Sequence, residues 1–368
     1  MGTTDVFVIG GGPAGLAVAI AARLKGLRVA VADGSEMPID KPCGEGLMPD
    51  GLTALQRLGV SIPPEESFAF HGVRFLSGGL KAEATFPDGA FGMGVRRTVL
   101  HRVIAEQAQR MGIDILWRAT VTAISPDGVH LGKHKIRARW IIGSDGANSR
   151  VRRWAGLDRF RERIKRYAYR QHFHIKPWTD RMELHWGRYG EVYVTPVSSE
   201  QVCVALISRD PKLRLAEALR ELPELQARLE GVESASAEKG AVTATSRLKR
   251  VSRGNVALIG DASGSVDAIT GEGLCLAFHQ AKILAECLES GDLRQYESEH
   301  RRLALRPRLM ARLMLMLDRR PGLQRRVVHA FGRHPSVFQR LLELHVGVLS
   351  PLHLAVDGLT LGWGLLTA

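Results

Sequence analysis

Short apolar runs alternate with amphipathic stretches from the first residues of the chain. Residues 5–9 (Asp-Val-Phe-Val-Ile) form an apolar run of strand length, and 16–24 have the apolar content of a buried helix. A second run, 28–32 (Arg-Val-Ala-Val-Ala), ends at Asp33. Apolarity that is continuous rather than alternating predicts strands covered on both faces, as in a parallel sheet flanked by helices. Further on, 47–58 predicts a helix with Leu52, Leu55 and Leu58 on one side. Residues 73–86 predict a hairpin around Ser77-Gly78-Gly79, and 98–111 an amphipathic helix with Leu100, Val103, Ile104 and Ala108 on its inner face. Strands are predicted at 113–117, 120–124 and 135–140. From 167 to 208 the texture changes to short β-rich runs at 172–175, 182–186, 192–195 and 202–207. A helix at 212–230, strands at 242–245 and 256–259 and a helix at 274–288 follow. The remainder reads as helix broken at Pro307, Pro321, Pro335 and Pro351.

The residues between the first strand and the first helix, Gly10-Gly11-Gly12-Pro13-Ala14-Gly15, add chemistry to this pattern. In such a turn Gly10 permits the sharp bend, Gly12 lets a pyrophosphate approach the backbone, and Gly15 lets helix and strand pack closely. The helix N-terminus then faces the phosphates. Asp33, eighteen residues past Gly15 and followed by Gly34, stands where a ribose hydroxyl needs an acceptor. A dinucleotide site is expected.

Composition bounds the rest. A chain of 368 residues with 45% hydrophobic and 24% charged residues is a globular enzyme of one or two domains. No signal peptide and no stretch of membrane-spanning length is read, and the four cysteines (43, 203, 275, 287) show no CxxC, so a reduced, cytoplasmic protein is expected. The net charge of +13 is uneven: 150–170 holds nine Lys/Arg against Asp158 and Glu162, and 301–340 holds eleven Arg against Asp318. Such stretches point to an anion, either an acidic carrier protein or an anionic membrane surface with peripheral attachment; an evenly solvated basic face is the plain alternative. Nucleic acid is not indicated, for no binding module accompanies the charge.

Two further turns belong with the first. An apolar strand ends at Gly143-Ser144-Asp145-Gly146 before an Arg-rich helix start, and another ends at Gly260-Asp261 before the loop Thr270-Gly271-Glu272-Gly273-Leu274. In that order the three motifs resemble those of the flavoprotein hydroxylase superfamily (the p-hydroxybenzoate hydroxylase type). Lys41-Pro42-Cys43-Gly44-Glu45-Gly46 and the 260–274 segment resemble the geranylgeranyl reductase-related branch. The resemblance spans about residues 1–290. It implies an α/β fold with α+β elements: a Rossmann-like FAD-binding domain (1–65, 90–155 and 245–290), an inserted, mainly antiparallel β substrate domain (66–89 and 156–244), and a helical basic C-terminal region (291–368). It implies FAD as cofactor, with NADPH or NADH as a transient electron donor. Arg97 matches an arginine that contacts the cofactor, Asp261 the aspartate on the ribityl chain, and Asp145 the mid-chain aspartate. The backbone of 271–274 would face the reduced flavin, with the Glu272 side chain in solvent.

There are departures. The reductases' Tyr-x-Trp-x-Phe-Pro strand corresponds here to Tyr189-Gly190-Glu191-Val192-Tyr193-Val194-Thr195-Pro196, which has no tryptophan and also lacks the halogenase motif. Candidate catalytic groups are Cys43 and Glu45 in the glycine-rich loop and Glu191 and Tyr193 on that strand; a small buried cysteine, an exposed loop carboxylate and an edge-strand surface pair are the structural alternatives. His172 and His174 lie at strand spacing without a third ligand, so no metal is expected. The reading favoured by prevalence in the superfamily is a monooxygenase or oxidase of a small apolar or aromatic metabolite. Its alternatives are a reductase of prenyl or other C=C bonds, and a flavoenzyme acting on a carrier-tethered substrate.

Overall fold

The computed structural model describes residues 3–349. The continuous apolar runs form the centre of an eight-stranded sheet, in which Thr3–Ile9 lies between His134–Gly143 and Val29–Ala32 and is parallel to both. Val256–Leu258 and Asp114–Leu116 extend it on either side, also in parallel. The helix Pro13–Leu24 packs against this sheet and touches Arg97–Arg110 and Gly273–Ser290, closing a core that includes Val6, Phe7, Val8, Leu16, Ile20 and Ile142. The α/β class with parallel strands is therefore the one expected from the sequence.

The second eight-stranded sheet runs Gly264–Ser265, Lys239–Leu248, Phe160–Phe173, Gln201–Ser208, Gly190–Ser198, Met182–Trp186, Gly72–Ser77 and Leu80–Thr85. It is antiparallel except where Met182–Trp186 lies parallel to Gly72–Ser77. Alternation decides its two faces. Val192, Val194, Val202, Val204 and Leu206 pack beneath the helices Leu215–Arg220 and Pro223–Leu229. Leu184, Trp186, Tyr193, Ala205 and Ile207 point the other way, into a cluster with Met310, Met314, Val328, Phe331 and Phe338 of the C-terminal helices. A three-stranded sheet of Gly46–Leu47, Gly92–Val95 and Ser67–Phe70 completes the β structure.

Several predicted elements change in outline. The strand predicted at 172–175 is the end of a longer one, Phe160–Phe173, whose earlier part lacks an apolar pattern: Arg166 and Arg170 are buried while Ile164 is exposed. The helix at 212–230 is two helices, the second starting at Pro223. Pro307 does not break its helix, since it is the third residue of Leu305–Asp318, where an N–H has no intrahelical acceptor. Pro321 and Pro335 are first residues of Pro321–Arg333 and Pro335–His345. Pro351 lies outside the described residues. Among the described residues no helix is long and apolar enough to cross a membrane.

Candidate cofactor and active site

The glycine turn is built as its spacing requires. Gly10 has φ +112°, and a Cβ there would stand 2.5 Å from the Ser144 carbonyl oxygen. A Cβ on Gly15 would run into the Gly10 carbonyl oxygen, whereas one on Gly12 would meet nothing within 4 Å. The two glycines that pack the turn are thus separate from the one that opens it. Asp33 braces it from the next strand: Gly11 N–H donates to Oδ2 at 2.7 Å and Ser35 N–H to Oδ1 at 2.7 Å. Gly12 caps Pro13–Leu24 without any side-chain cap, so the helix end opens onto the space before it.

That space is a cavity of about 550 Å³. Gly10, Gly12, Pro13, Ala14, Asp33 and Gly34 line it, while Gly15 lies behind the wall. The later motifs line it too, through Asp145, Gly146, Gly260, Asp261, Gly271, Gly273 and Leu274, and so does Arg97. Asp145 Oδ2 takes the N–H groups of Arg150 (2.6 Å) and Val151 (3.2 Å), leaving Oδ1 buried without a partner. Arg97 Nε is likewise buried and unpartnered. Gly271, at φ +67°, ends a short turn, Ala268–Thr270, and hands the chain to Gly273–Ser290. Asp261 pairs with Lys41 at 2.7 Å. Burial would raise its pKa, but Lys41 and then Arg97 hold it below the usual carboxylate range. Open space before Gly12, a lone buried acceptor, a lone buried donor and a bare helix N-terminus suit a molecule with a diphosphate, sugar hydroxyls and a polar ring. FAD fits this donor set.

Cys43 and Glu45 both line the cavity, from the loop that leads to Gly46–Leu47. Glu45 is buried, not exposed, and its left-handed backbone (φ +59°) turns the carboxylate inward. Its Oε1 accepts the Arg97 N–H at 2.9 Å, and Oε2 lies 2.6 Å from His172 Nε2. Arg170 Nη1 lies 3.0 Å from His172 Nδ1. Arginine can only donate, so Nδ1 accepts and Nε2 carries the proton it gives to Glu45. Ser236 Oγ, 2.8 Å from the same Nδ1, links the pair toward the surface, and Asp40 joins Arg170 (2.5 Å) to Lys239 (2.6 Å). Burial pushes the Cys43 thiol up; Arg97 opposes this and the Glu45 carboxylate reinforces it. Cys203 donates to the Cys43 carbonyl across 3.8 Å, and burial pushes its thiol up as well.

Sequence reasoning missed His172 in this role, having paired it with His174. Glu45, His172 and Cys203 offer ligand atoms within 4.8 Å of one another, a grouping no sequence spacing announces. The one available signal was the period-two series Arg166, Ala168, Arg170, His172 on a single strand face.

The other two catalytic candidates separate. Tyr193 lines the cavity and donates to the Ile269 carbonyl at 2.5 Å. Glu191 is fully buried beyond the cavity, 2.5 Å from Arg166. Their strand is interior to its sheet, so the surface-pair alternative is excluded. Glu272 corrects another expectation: its side chain is buried, not solvated, because Arg306 and His345 of the C-terminal helices close over it at 3.6 Å each.

Comparison with known proteins agrees with this arrangement. The family model described as "FAD binding domain" matches residues 3–306. Menaquinone reductase of Mycolicibacterium smegmatis is 29% identical over 80% of this chain and 78% of its own. A digeranylgeranylglycerophospholipid reductase of Methanosarcina acetivorans is 29% identical over 78% and 77%. Among solved structures, a flavoprotein/dehydrogenase from Cytophaga hutchinsonii superposes with a TM-score of 0.80 at 20% identity, covering 94% of this chain and 93% of its own. The p-nitrophenol 4-monooxygenase of Pseudomonas putida superposes with a TM-score of 0.79 at 21% identity, covering 98% of each. These superpositions establish the fold, and the family match establishes the cofactor: the chain belongs to the FAD binding domain family and is an FAD-dependent oxidoreductase.

Proposed function

We propose that this flavoenzyme reduces a carbon–carbon double bond of an apolar, isoprenoid-type molecule. The observation that carries this reading is the half-buried Cys43 thiol, pushed up by burial against the pull of Arg97, at the wall of a cavity that Ala168, Met182, Ala205 and Ile207 also line. A reductase needs such an acid. FAD, when bound and reduced, would supply a hydride, two electrons with one hydrogen, to one carbon of the bond. Cys43 gives its proton to the other carbon, and Arg97 together with the Glu45 N–H stabilises the thiolate left behind. Glu45 stands next to Cys43 and connects through His172 to Ser236, a route by which the proton returns from solvent. The names of two sequence relatives, a menaquinone reductase and a digeranylgeranylglycerophospholipid reductase, support reduction over oxygenation.

The test is single turnover without oxygen. The holoenzyme is reduced with one equivalent of dithionite and mixed with a geranylgeranyl lipid, which has no quinone ring to take up the electrons. The expected product is heavier by two hydrogen atoms, and Cys43→Ala slows its formation about 100-fold or more while FAD affinity is unchanged. A product that forms only with oxygen present, heavier by one oxygen atom, would replace this reading with oxygenation.

A further inference from the structure

A second pocket lies apart from the cofactor cavity, where the basic stretches of the sequence meet. Arg161 comes from the first stretch, Arg301 and Arg308 from the second, and Arg247, Lys249 and Arg250 from a third segment between them. Six cationic side chains from three distant parts of the chain therefore line one depression. Two carboxylates accompany them: Glu297, 3.2 Å from Arg301, and Glu162, whose field reaches Arg308. Crowding like charges in this way destabilises a fold unless something anionic sits among them. Arg308 shows the strain most clearly, since burial and then Arg247 hold it below the usual guanidinium range.

The floor is polar and fixed. Ser263 Oγ donates to the Gly260 carbonyl at 2.8 Å and lies 2.9 Å from the buried His300 Nε2. The pocket is small, about 20 Å³, room for one or two water-sized atoms. A whole ring has no place in it, but one or two oxygens of a compact anion do, and six cationic side chains around them favour a multiply charged group over a carboxylate, with arginine forks to hold it.

We propose that this pocket binds a phosphate group, with the rest of the ligand outside the protein. A phosphorylated nicotinamide nucleotide and a lipid headgroup both carry that chemistry.

Inorganic phosphate is the probe, added to the holoenzyme in low-salt buffer with potassium chloride of matched ionic strength as the control. Phosphate raises the melting temperature of the wild type and broadens its own ³¹P resonance; chloride does neither. The double variant Arg161→Gln/Arg250→Gln removes two exposed charges outside the cofactor cavity. It binds phosphate about tenfold more weakly and, in phosphate-free buffer, melts at or above the wild-type temperature because repulsion is relieved. Equal phosphate responses in the two proteins, or no response in the wild type, overturn the proposal. The single variant Arg250→Gln repeats the comparison if the double variant does not fold. Displacement of phosphate by NADP⁺ but not NAD⁺ identifies the nucleotide as the source. Displacement by phosphatidate vesicles but not by phosphatidylcholine identifies the lipid.

Discussion

His300 is a buried imidazole whose Nε2 lies 2.9 Å from Ser263 Oγ. Burial first, then Arg308 and Arg301, pushes its pKa down to about 3. In the unfolded chain the same group titrates near 6.5, so between those values the unfolded state binds the extra proton. Stability is therefore fully present above about pH 6.5 and declines as pH falls toward 3, by about 1.4 kcal/mol per pH unit for this one group. His300→Gln keeps a hydrogen bond to Ser263 and removes the titration. Urea midpoints at pH 7, 6 and 5 then fall less steeply in the variant than in the wild type. Parallel acid limbs would mean that His300 is not the group taking up the proton. His101, also depressed by burial and hydrogen-bonded to the Gly11 carbonyl at 2.8 Å, contributes with the same sign in both proteins.

At the scale of elements, the first strand–turn–helix separates folding from binding. Gly15→Ala drives a methyl group into the Gly10 carbonyl and costs about 1–3 kcal/mol or more, seen as a lower melting temperature of the flavin-free protein. Gly12→Ala is different: φ is −69° and the space around the new methyl is empty. Its flavin-free protein keeps the wild-type melting temperature within about 2 °C, yet it binds FAD at least about tenfold more weakly, read by quenching of flavin fluorescence. A Gly12→Ala protein with normal FAD affinity would place the diphosphate elsewhere. This element was legible in the sequence because its constraints are local: continuous apolar runs, glycines at fixed spacing, an acid after the second strand. The strand Phe160–Phe173 was only half legible, because it buries Arg166 and Arg170, which read as surface. Glu45 and His172, 127 residues apart, meet only because the sheet and the loop fold together. Glu272 read as solvated because the helices that cover it come from the end of the chain, where spacing says nothing about packing.

Across the whole molecule, one buried arginine joins parts distant in the sequence. Arg166 of the substrate-side sheet reaches across the strand Gln201–Ser208 to Glu191 at 2.5 Å, and reaches Asp267 at 3.0 Å. Asp267 caps the turn before Gly271, and Asp318, at the end of the helix Leu305–Asp318, lies 3.8 Å from Arg166 and also pairs with Arg209. The flavin loop, the second sheet and the C-terminal helices thus share one charge centre. Arg166→Met leaves Glu191 and Asp267 without their main cation, while Asp318 keeps Arg209, and costs about 3–5 kcal/mol in denaturant unfolding. The carboxylates are not equivalent. Burial, with Asp318 reinforcing it against the pull of Arg166, holds Glu191 well above the usual carboxylate range. A carboxyl raised in this way stabilises the fold below its unfolded value, and that contribution is lost as pH rises through the folded one. Glu191→Gln mimics the protonated acid and does not titrate. Its stability relative to wild type therefore rises from pH 5 to pH 8, and at pH 5 the two proteins differ by less than about 1 kcal/mol. If the difference is flat with pH, or favours the wild type more at pH 8, then Glu191 is ionised in the folded state and the arginine holds it as a true ion pair.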